Sequence, residues 1–284
     1  MMTIALPALD ERVTWSIRIV DARSGDVLAE HAPDVMCETA SIGKIFLLIE
    51  VARRLAEGSL APDDLVAIPD EHRVADSGLL YRMRSQTLSV HDAALLVGAF
   101  SDNLATNALI SLCGLDRVRA VAPGLGYRDT ALHDYIRSER TPDLPWTPSF
   151  GTGAELADVL RRLGAGEVLS PEVSGMVMDW LAADADTSMV ADALLLDPLA
   201  HVEAEYQGMV LRHKTGSTSF ARIDAGHLTG PAASVAYAVA ANWKDSEIDL
   251  RAPVLDAMRA IGEQLRRHVT GRERDDAAME QEPA

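Results

Sequence analysis

An α/β sandwich with a helical region inserted into it is the fold class this sequence predicts, and three observations predict it. Strand-like alternation opens the chain at "VTWSIRIVDA" (13–22). It returns near the other end in three successive β-rich runs, "GMVLRHKTGS" (208–217), "FARIDAGHLTG" (220–230) and "ASVAYAVAANW" (233–243). Between these ends the apolar residues recur at helical spacing, so a helical middle separates strands that belong in one layer. With 284 residues, 48% of them hydrophobic, the chain is long enough to bury a sizeable core.

Taken in order, the first run is followed by the turn "RSGD" and by "VLAEHA" (27–32), which together read as a hairpin. From Ser41 onward, Ile42, Ile45, Phe46, Ile49 and Ala52 fall on one helical face, while Leu47, Leu48 and Val51 fill the other sides. A helix apolar nearly all round is a buried one, and Gly58 supplies a stop. "LSVHDAALLVGAF" (88–100) reads as a second helix, with Ser89 and Asp92 forming a start similar to a capping box. "LATNALISLCG" (104–114) reads as a third, and the polar "SDN" (101–103) breaks the two. "GAELADVLRRLGAG" (153–166) and "SPEVSGMVMDWLAAD" (170–184) continue the helical middle. After the three strands, "LRAPVLDAMRAIGEQLRRHV" (250–269) is an amphipathic helix with Leu255, Met258, Ile261 and Leu265 on one face. The polar "TGRERDDAAMEQEPA" (270–284) reads as a disordered tail. The expected organisation is a discontinuous α/β domain (1–40 and 205–269), a helical domain (41–204) and that tail.

A net charge of −17 repels phosphate backbones and anionic lipid, so neither nucleic acid nor a membrane is expected as a partner. No stretch reaches the roughly 18 apolar residues that a membrane span needs. "MMTIALPALDERVTW" has neither a basic start nor an apolar core of signal-peptide length, which points to a cytoplasmic chain as given, exported only if a leader was removed. Cys37 and Cys113 lie far apart in sequence and fit reduced thiols. The eight histidines form no H-x-x-x-H pair, so no metal and no other cofactor is expected.

Three short motifs carry chemistry. Ser41 and Lys44, in "SIGK", lie one helical turn apart, where an amine can serve as base to a hydroxyl. Burial or a cationic neighbour would keep that amine unprotonated, and N–H groups at a helix start can hold an oxyanion. Taken singly, S-x-x-K arises by chance about once in a chain of this length, and a capped surface helix explains it as well. Ser101 and Asn103, in the break between two apolar helices, could face a cleft, one relaying a proton and the other holding a carbonyl; a locally capped turn is the plain alternative. Lys214, Thr215 and Gly216 end a β-rich run, where a cation and a hydroxyl suit a carboxylate and glycine allows close approach. Ser217 would offer its N–H beside that of Ser41, although an edge-strand turn with a solvated lysine reads equally well.

Together and in this order, S-x-x-K, S-D-N and K-T-G form the set that marks class A β-lactamases and penicillin-binding proteins. From about residue 13 to about 268 the chain resembles that superfamily. Some 60 residues separate the first two motifs and about 110 the last two, and "SDNLATNALI" is similar to the class A helix that follows its S-D-N. The resemblance implies an antiparallel sheet flanked by N- and C-terminal helices with an inserted all-α domain. It implies an acyl-enzyme serine hydrolase acting on a small β-lactam or another carboxylate-bearing amide or ester. Ser41 is then the nucleophile, Lys44 its base or relay, and Ser101 the donor to the leaving nitrogen with Lys214 beside it. Asn103 contacts the substrate amide, Lys214, Thr215, Gly216 and Ser217 line the carboxylate site, Arg222 is a second carboxylate anchor, and Tyr81 walls the cleft.

The sequence departs from class A where the family carries E-x-x-L-N. That stretch corresponds to "LHDYIRSERTPDLPW" (132–146), and an ungapped register puts Ile136 at the glutamate and Arg140 near the asparagine. Asp134 and Glu139 are the nearest acids and the two candidates for a deacylation base. Two alternatives to a hydrolase follow. One is a penicillin-binding-protein-like acyl trap or transpeptidase; the other is a non-catalytic homologue that retains the pocket.

Overall fold

The computed structural model describes residues 3–85, 87–199, 208–244 and 248–271. In chain order its elements are β1 (Thr14–Asp21), β2 (Val27–His31), β3 (Cys37–Glu38), α1 (Lys44–Ala56), β4 (Leu65–Val66), β5 (Leu88–Ser89), α2 (Val90–Phe100), α3 (Asn103–Cys113), α4 (Leu115–Gly124), β6 (Ala131–Leu132), β7 (Ser149–Gly151), α5 (Gly153–Gly164), α6 (Pro171–Leu181), β8 (Val210–Thr218), β9 (Ala221–Thr229), β10 (Ser234–Asn242) and α7 (Arg251–Thr270). All but the first two residues of the predicted tail lie outside the described residues.

The hairpin and the three later strands form one antiparallel sheet in the order β2-β1-β10-β9-β8. β1 pairs with β10 along its whole length, from Thr14 opposite Asn242 to Asp21 opposite Val235. Strands from both ends of the chain therefore share a sheet, and β8, which carries Lys214–Ser217, is left at its edge.

Both faces of the sheet are covered, which is why β10 reads as nearly unbroken apolar sequence. On one face Ile17, Ile19, Tyr237 and Val239 pack with Val254, Met258, Ile261 and Leu265 of α7; the last three lie on the face predicted for that helix, whereas Leu255 is only partly buried against it. On the other, Ala225, Ala236, Ala238 and Ala240 meet Leu156 and Leu160 of α5. Alanines on that face let α5 approach closely. Its first residue, Gly153, donates its N–H to Ser16 Oγ at 2.8 Å, and a Cβ there would lie 2.9 Å from the Ser16 backbone. A flanking N-terminal helix is not found in the described residues. The leading segment is irregular and docks by Ile4 N–H to the Leu28 carbonyl (3.0 Å), so the inner face is covered from the helical middle instead.

Within that middle, α1 is fully enclosed from Ile45 to Ile49, as its all-round apolar sequence requires. The helix begins at Lys44 and not at Ser41; residues Ala40–Gly43 form a tighter 3-10 turn. α2 begins as expected, Ser89 Oγ accepting from the Asp92 N–H at 3.0 Å. α4, on the far side of Gly114, is itself too polar and too short to declare itself in the sequence, and it contains Pro123.

Gly262 on α7 shows how tightly the outer layer is fitted. A Cβ there would fall 2.1 Å from the Val190 carbonyl oxygen, a backbone atom that cannot step aside. Gly262→Ala is therefore expected to destabilise by about 1–3 kcal/mol despite the better helix propensity of alanine. A lowered urea midpoint at unchanged slope would show it, and an unchanged or raised midpoint would contradict it.

Candidate active site

The turn that carries Ser41 is held from behind. Ala40 sits at φ +47°, a region that L-residues rarely occupy, and persists there because its surroundings fix it. Ser149 on β7 donates its hydroxyl to the Ala40 carbonyl and accepts from the Thr39 hydroxyl at 2.9 Å, while Thr39 N–H reaches the Ser149 carbonyl at 3.2 Å. Gly43 closes the turn against the same serine; a Cβ on it would lie 2.4 Å from Ser149 Cβ. Ser41 is left partly exposed on the opposite side.

Lys44 follows directly and is fully buried. Its Nζ donates to the Ser101 carbonyl (2.7 Å), to Asn103 Oδ1 (2.7 Å) and, more distantly, to Ser101 Oγ (3.1 Å). Burial pushes its pKa well below the usual lysine value and the charge of Lys214 adds to this; Asp102, Asp184 and Asp76 oppose it.

Ser101 ends α2 in the left-handed region (φ +52°), which turns the chain sharply into α3. Asp102 between the two motif residues is fully buried and structural. One carboxylate oxygen caps α3 through the Ala105 N–H (2.9 Å), and the other accepts from the Leu79 and Leu80 N–H groups at 2.7 Å each. The segment around "DSGLL" (76–80) is thereby docked onto the S-D-N break, with Asn103 N–H reaching the Ser77 carbonyl (3.1 Å). Gly78 is obligatory there: its φ is +104°, and a Cβ would lie 2.3 Å from Asp102 Oδ2. Tyr81, next on this segment, packs partly against the core, with its hydroxyl accepting from Arg82 Nε at 2.7 Å.

The third motif meets the first at Gly216. A Cβ there would fall 2.5 Å from the Thr39 carbonyl and 3.1 Å from Ser41 N, so glycine is what lets β8 lie against the nucleophile turn. Ser217, one residue on, is exposed. Lys214 is fully buried; its Nζ pairs with Asp184 Oδ2 (3.2 Å), which also accepts from Thr215 N–H at 3.0 Å. The other oxygen of Asp184 accepts from Asp186 N–H at 3.1 Å. Asp186 in turn hydrogen-bonds the Thr215 and Ser188 side chains. Burial raises its pKa, but these bonds and the Lys214 charge outweigh that, so the net shift is downward. Arg222 gives its guanidinium to the Thr218 and Ala221 carbonyls (2.6 and 2.7 Å) and rests over the Trp243 ring. Asp184 and Asp186 escaped the sequence reading. They follow α6 in "AADADTS", a stretch with the composition of any surface loop and no spacing that links it to K-T-G.

The loop that corresponds to the family's E-x-x-L-N is organised around Asp134. This carboxylate is nearly fully buried and takes bonds from Arg137 (3.0 Å from each of two nitrogens) and Arg140 (2.9 Å). Burial raises its pKa, and the two guanidiniums outweigh that and lower it. Glu139 is exposed. Ile136 is fixed by Asn107 of α3, whose amide donates to its carbonyl (2.8 Å) and accepts its N–H (2.8 Å). Ser41, Lys44, Ser101, Asn103, Lys214, Thr215 and Gly216 are thus drawn to one junction between α1, the α2–α3 break and β8. Tyr81 and Arg222 make their polar contacts elsewhere.

Among the described residues no group of three His, Cys, Asp or Glu could hold a metal ion, and no helix is long and apolar enough to cross a membrane. Burial raises both thiols, Cys37 to about 12 and Cys113 to about 11, as expected of unreactive core cysteines. No curated protein sequence matches the chain. Among solved structures, a β-lactamase from Sphaerobacter thermophilus is similar at 27% identity and TM-score 0.78, over 92% of this chain and 93% of that one. A PBP-A variant captured as an acyl-enzyme complex with penicillin G shares the fold at 19% identity and TM-score 0.72, over 90% of each chain. The class A β-lactamase from Mycobacterium abscessus does so at 20% identity and TM-score 0.70, over 89% of this chain and 93% of that one. The sequence profile of the β-lactamase enzyme family matches residues 5–269, and the chain belongs to that family.

Proposed function

We propose that this chain is a serine hydrolase that is acylated at Ser41 by a β-lactam or a related amide or ester, and that it clears the acyl group slowly. The observation that carries the reading is the buried Lys44, bonded to Ser101 and Asn103 at the foot of the Ser41 turn and pushed toward its neutral form. In this scheme the Lys44 amine takes the Ser41 proton as Oγ attacks the substrate carbonyl carbon. The developing oxyanion is held by the N–H groups of Ser41 and Ser217, which Gly216 allows to come together. The C–N bond breaks as Ser101 passes a proton to the leaving nitrogen, and Lys44 restores that proton. An ester on Ser41 remains.

Water must then attack that ester with help from a base. Asp134 is engaged by two arginines and its pKa is lowered, which makes it a poor base. Glu139 is exposed and belongs to no site contact described above. Ile136, fixed by Asn107 in the loop, offers no base at all. We therefore assign deacylation to Lys44 acting a second time, at a low rate. The same observation favours a second reading, an acyl trap or transpeptidase in which an incoming amine replaces water.

Time-resolved intact-mass measurement with a fluorescent penicillin and an activated ester tests this. A single adduct on Ser41 that outlasts the acylation phase is expected. Labelling that persists in Ser41→Ala would end the proposal, and an adduct that disappears as fast as it forms would end its deacylation half. Lys44→Met should lower the acylation rate about 10²–10⁴-fold, the range for a lost general base, measured at a temperature where the variant is shown to be folded. In the unaltered chain, acylation should rise with pH through a midpoint well below the ordinary lysine value, because the neutral amine is the active form and its pKa is depressed. A rate that is flat until the ordinary lysine range would count against Lys44 as base. Ile136→Glu is expected to shorten the adduct lifetime by about tenfold or more, and an unchanged lifetime would show that the loop position does not govern clearance.

A further inference from the structure

The carboxylate of Asp186 stands where the resemblance calls for the carboxylate of a substrate. Its main chain is bonded to Asp184, the carboxylate whose other oxygen holds Lys214 Nζ (3.2 Å) and the Thr215 N–H (3.0 Å), and its charge acts on both Lys214 and Arg222, the two cations expected to anchor a substrate acid. Its position is fixed at three points. Its own N–H donates to Asp184 Oδ1 (3.1 Å), and one of its oxygens accepts the Ser188 N–H (3.2 Å) and the Ser188 hydroxyl. The surrounding cations are held in place as well. Lys214 is paired with Asp184, and Arg222 lies over the Trp243 ring with Nη1 bonded to the Thr218 and Ala221 carbonyls. An incoming carboxylate would meet a fixed like charge at this subsite.

We infer that the subsite at Thr215 selects an acyl donor that presents a neutral or cationic hydrogen-bond donor there in place of a carboxylate, with Asp186 as the specificity-determining residue. An ammonium, an amide N–H or a hydroxyl on the substrate would find an acceptor in Asp186, whereas an anion is turned away. This rests on acylation at Ser41 as proposed above and revises the expectation of a carboxylate-bearing substrate.

Benzylpenicillin and its methyl ester differ only in that one charge, which makes them the probes. Acylation rate constants per unit concentration are measured for both by intact mass, in the unaltered chain and in Asp186→Asn. The unaltered chain should prefer the ester. Asp186→Asn, which keeps the shape and removes the charge, should shift the ester-to-acid ratio toward the acid by about tenfold, mainly through faster acylation by the free acid. Asp186→Ser should shift it in the same direction and guards against a loss specific to the asparagine. A ratio that moves less than twofold in both variants, with Ser41 still labelled, overturns this inference alone. Absence of Ser41 labelling by either probe in the unaltered chain would remove the acyl-enzyme reading and this inference with it.

Discussion

Two lysine side chains with no exposure to solvent, Lys44 and Lys214, meet at the seam between the helical layers and the sheet. Burying a charged amine is costly unless it is paired or loses its charge, and burying two within electrostatic reach of each other compounds the cost. The molecule meets this in two different ways. Lys214 is matched by Asp184, itself buried, whose second bond to the Thr215 N–H locks the partner in place. Lys44 has no carboxylate in contact, only carbonyl, amide and hydroxyl oxygens from residues 101–103. The asymmetry is electrostatic: Lys214 has a carboxylate partner and Lys44 has none in contact, and burial together with the charge of Lys214 takes the Lys44 pKa well below the usual lysine value.

The same bonds decide the architecture of the cleft. Lys44 ties α1 to the α2–α3 break, and Lys214 with Thr215 ties β8 to the segment after α6, so no two of these elements can separate without stranding a buried polar group. Asp102 extends the seam outward by capping α3 and accepting two N–H groups from the 76–80 segment. The carboxylates in this region thus serve mostly as structural acceptors. The excess acidic charge of the chain, −17 overall, is in part drawn inward to hold backbone amides and Lys214.

How much of this was legible in the sequence follows from where each signal lives. Strand alternation and the all-round apolar helix depend on periodicity, so β1, the last three strands and α1 could be read directly. The three motifs depend on residue type at fixed local spacing, and each was found. The 3-10 turn at Ala40–Gly43 was not, because it is imposed from outside: Ser149, more than a hundred residues away, fills the space behind Gly43 and binds the Ala40 carbonyl. Asp184 and Asp186 were invisible for the same reason, since their partners lie on β8, some 30 residues further on. Asp134 and Arg140 were noticed, but only the folded loop shows them bound to each other.

In the function proposed above, formation and clearance of an acyl group rest on separable parts of this fold. The groups that the first step calls on lie on the α1 turn, the α2–α3 break and β8. The second step asks for a water and a base on the 133–147 loop. That loop is anchored as firmly as the rest, by Asn107 at Ile136 and by two arginines at Asp134. The Asn107 bonds hold the main chain at Ile136, and in the proposed function an isoleucine side chain there supplies no base to activate a water. On the function proposed above, the contacts that serve acylation are separate from those of the 133–147 loop, so a base supplied at position 136 would alter clearance of the ester and leave its formation alone.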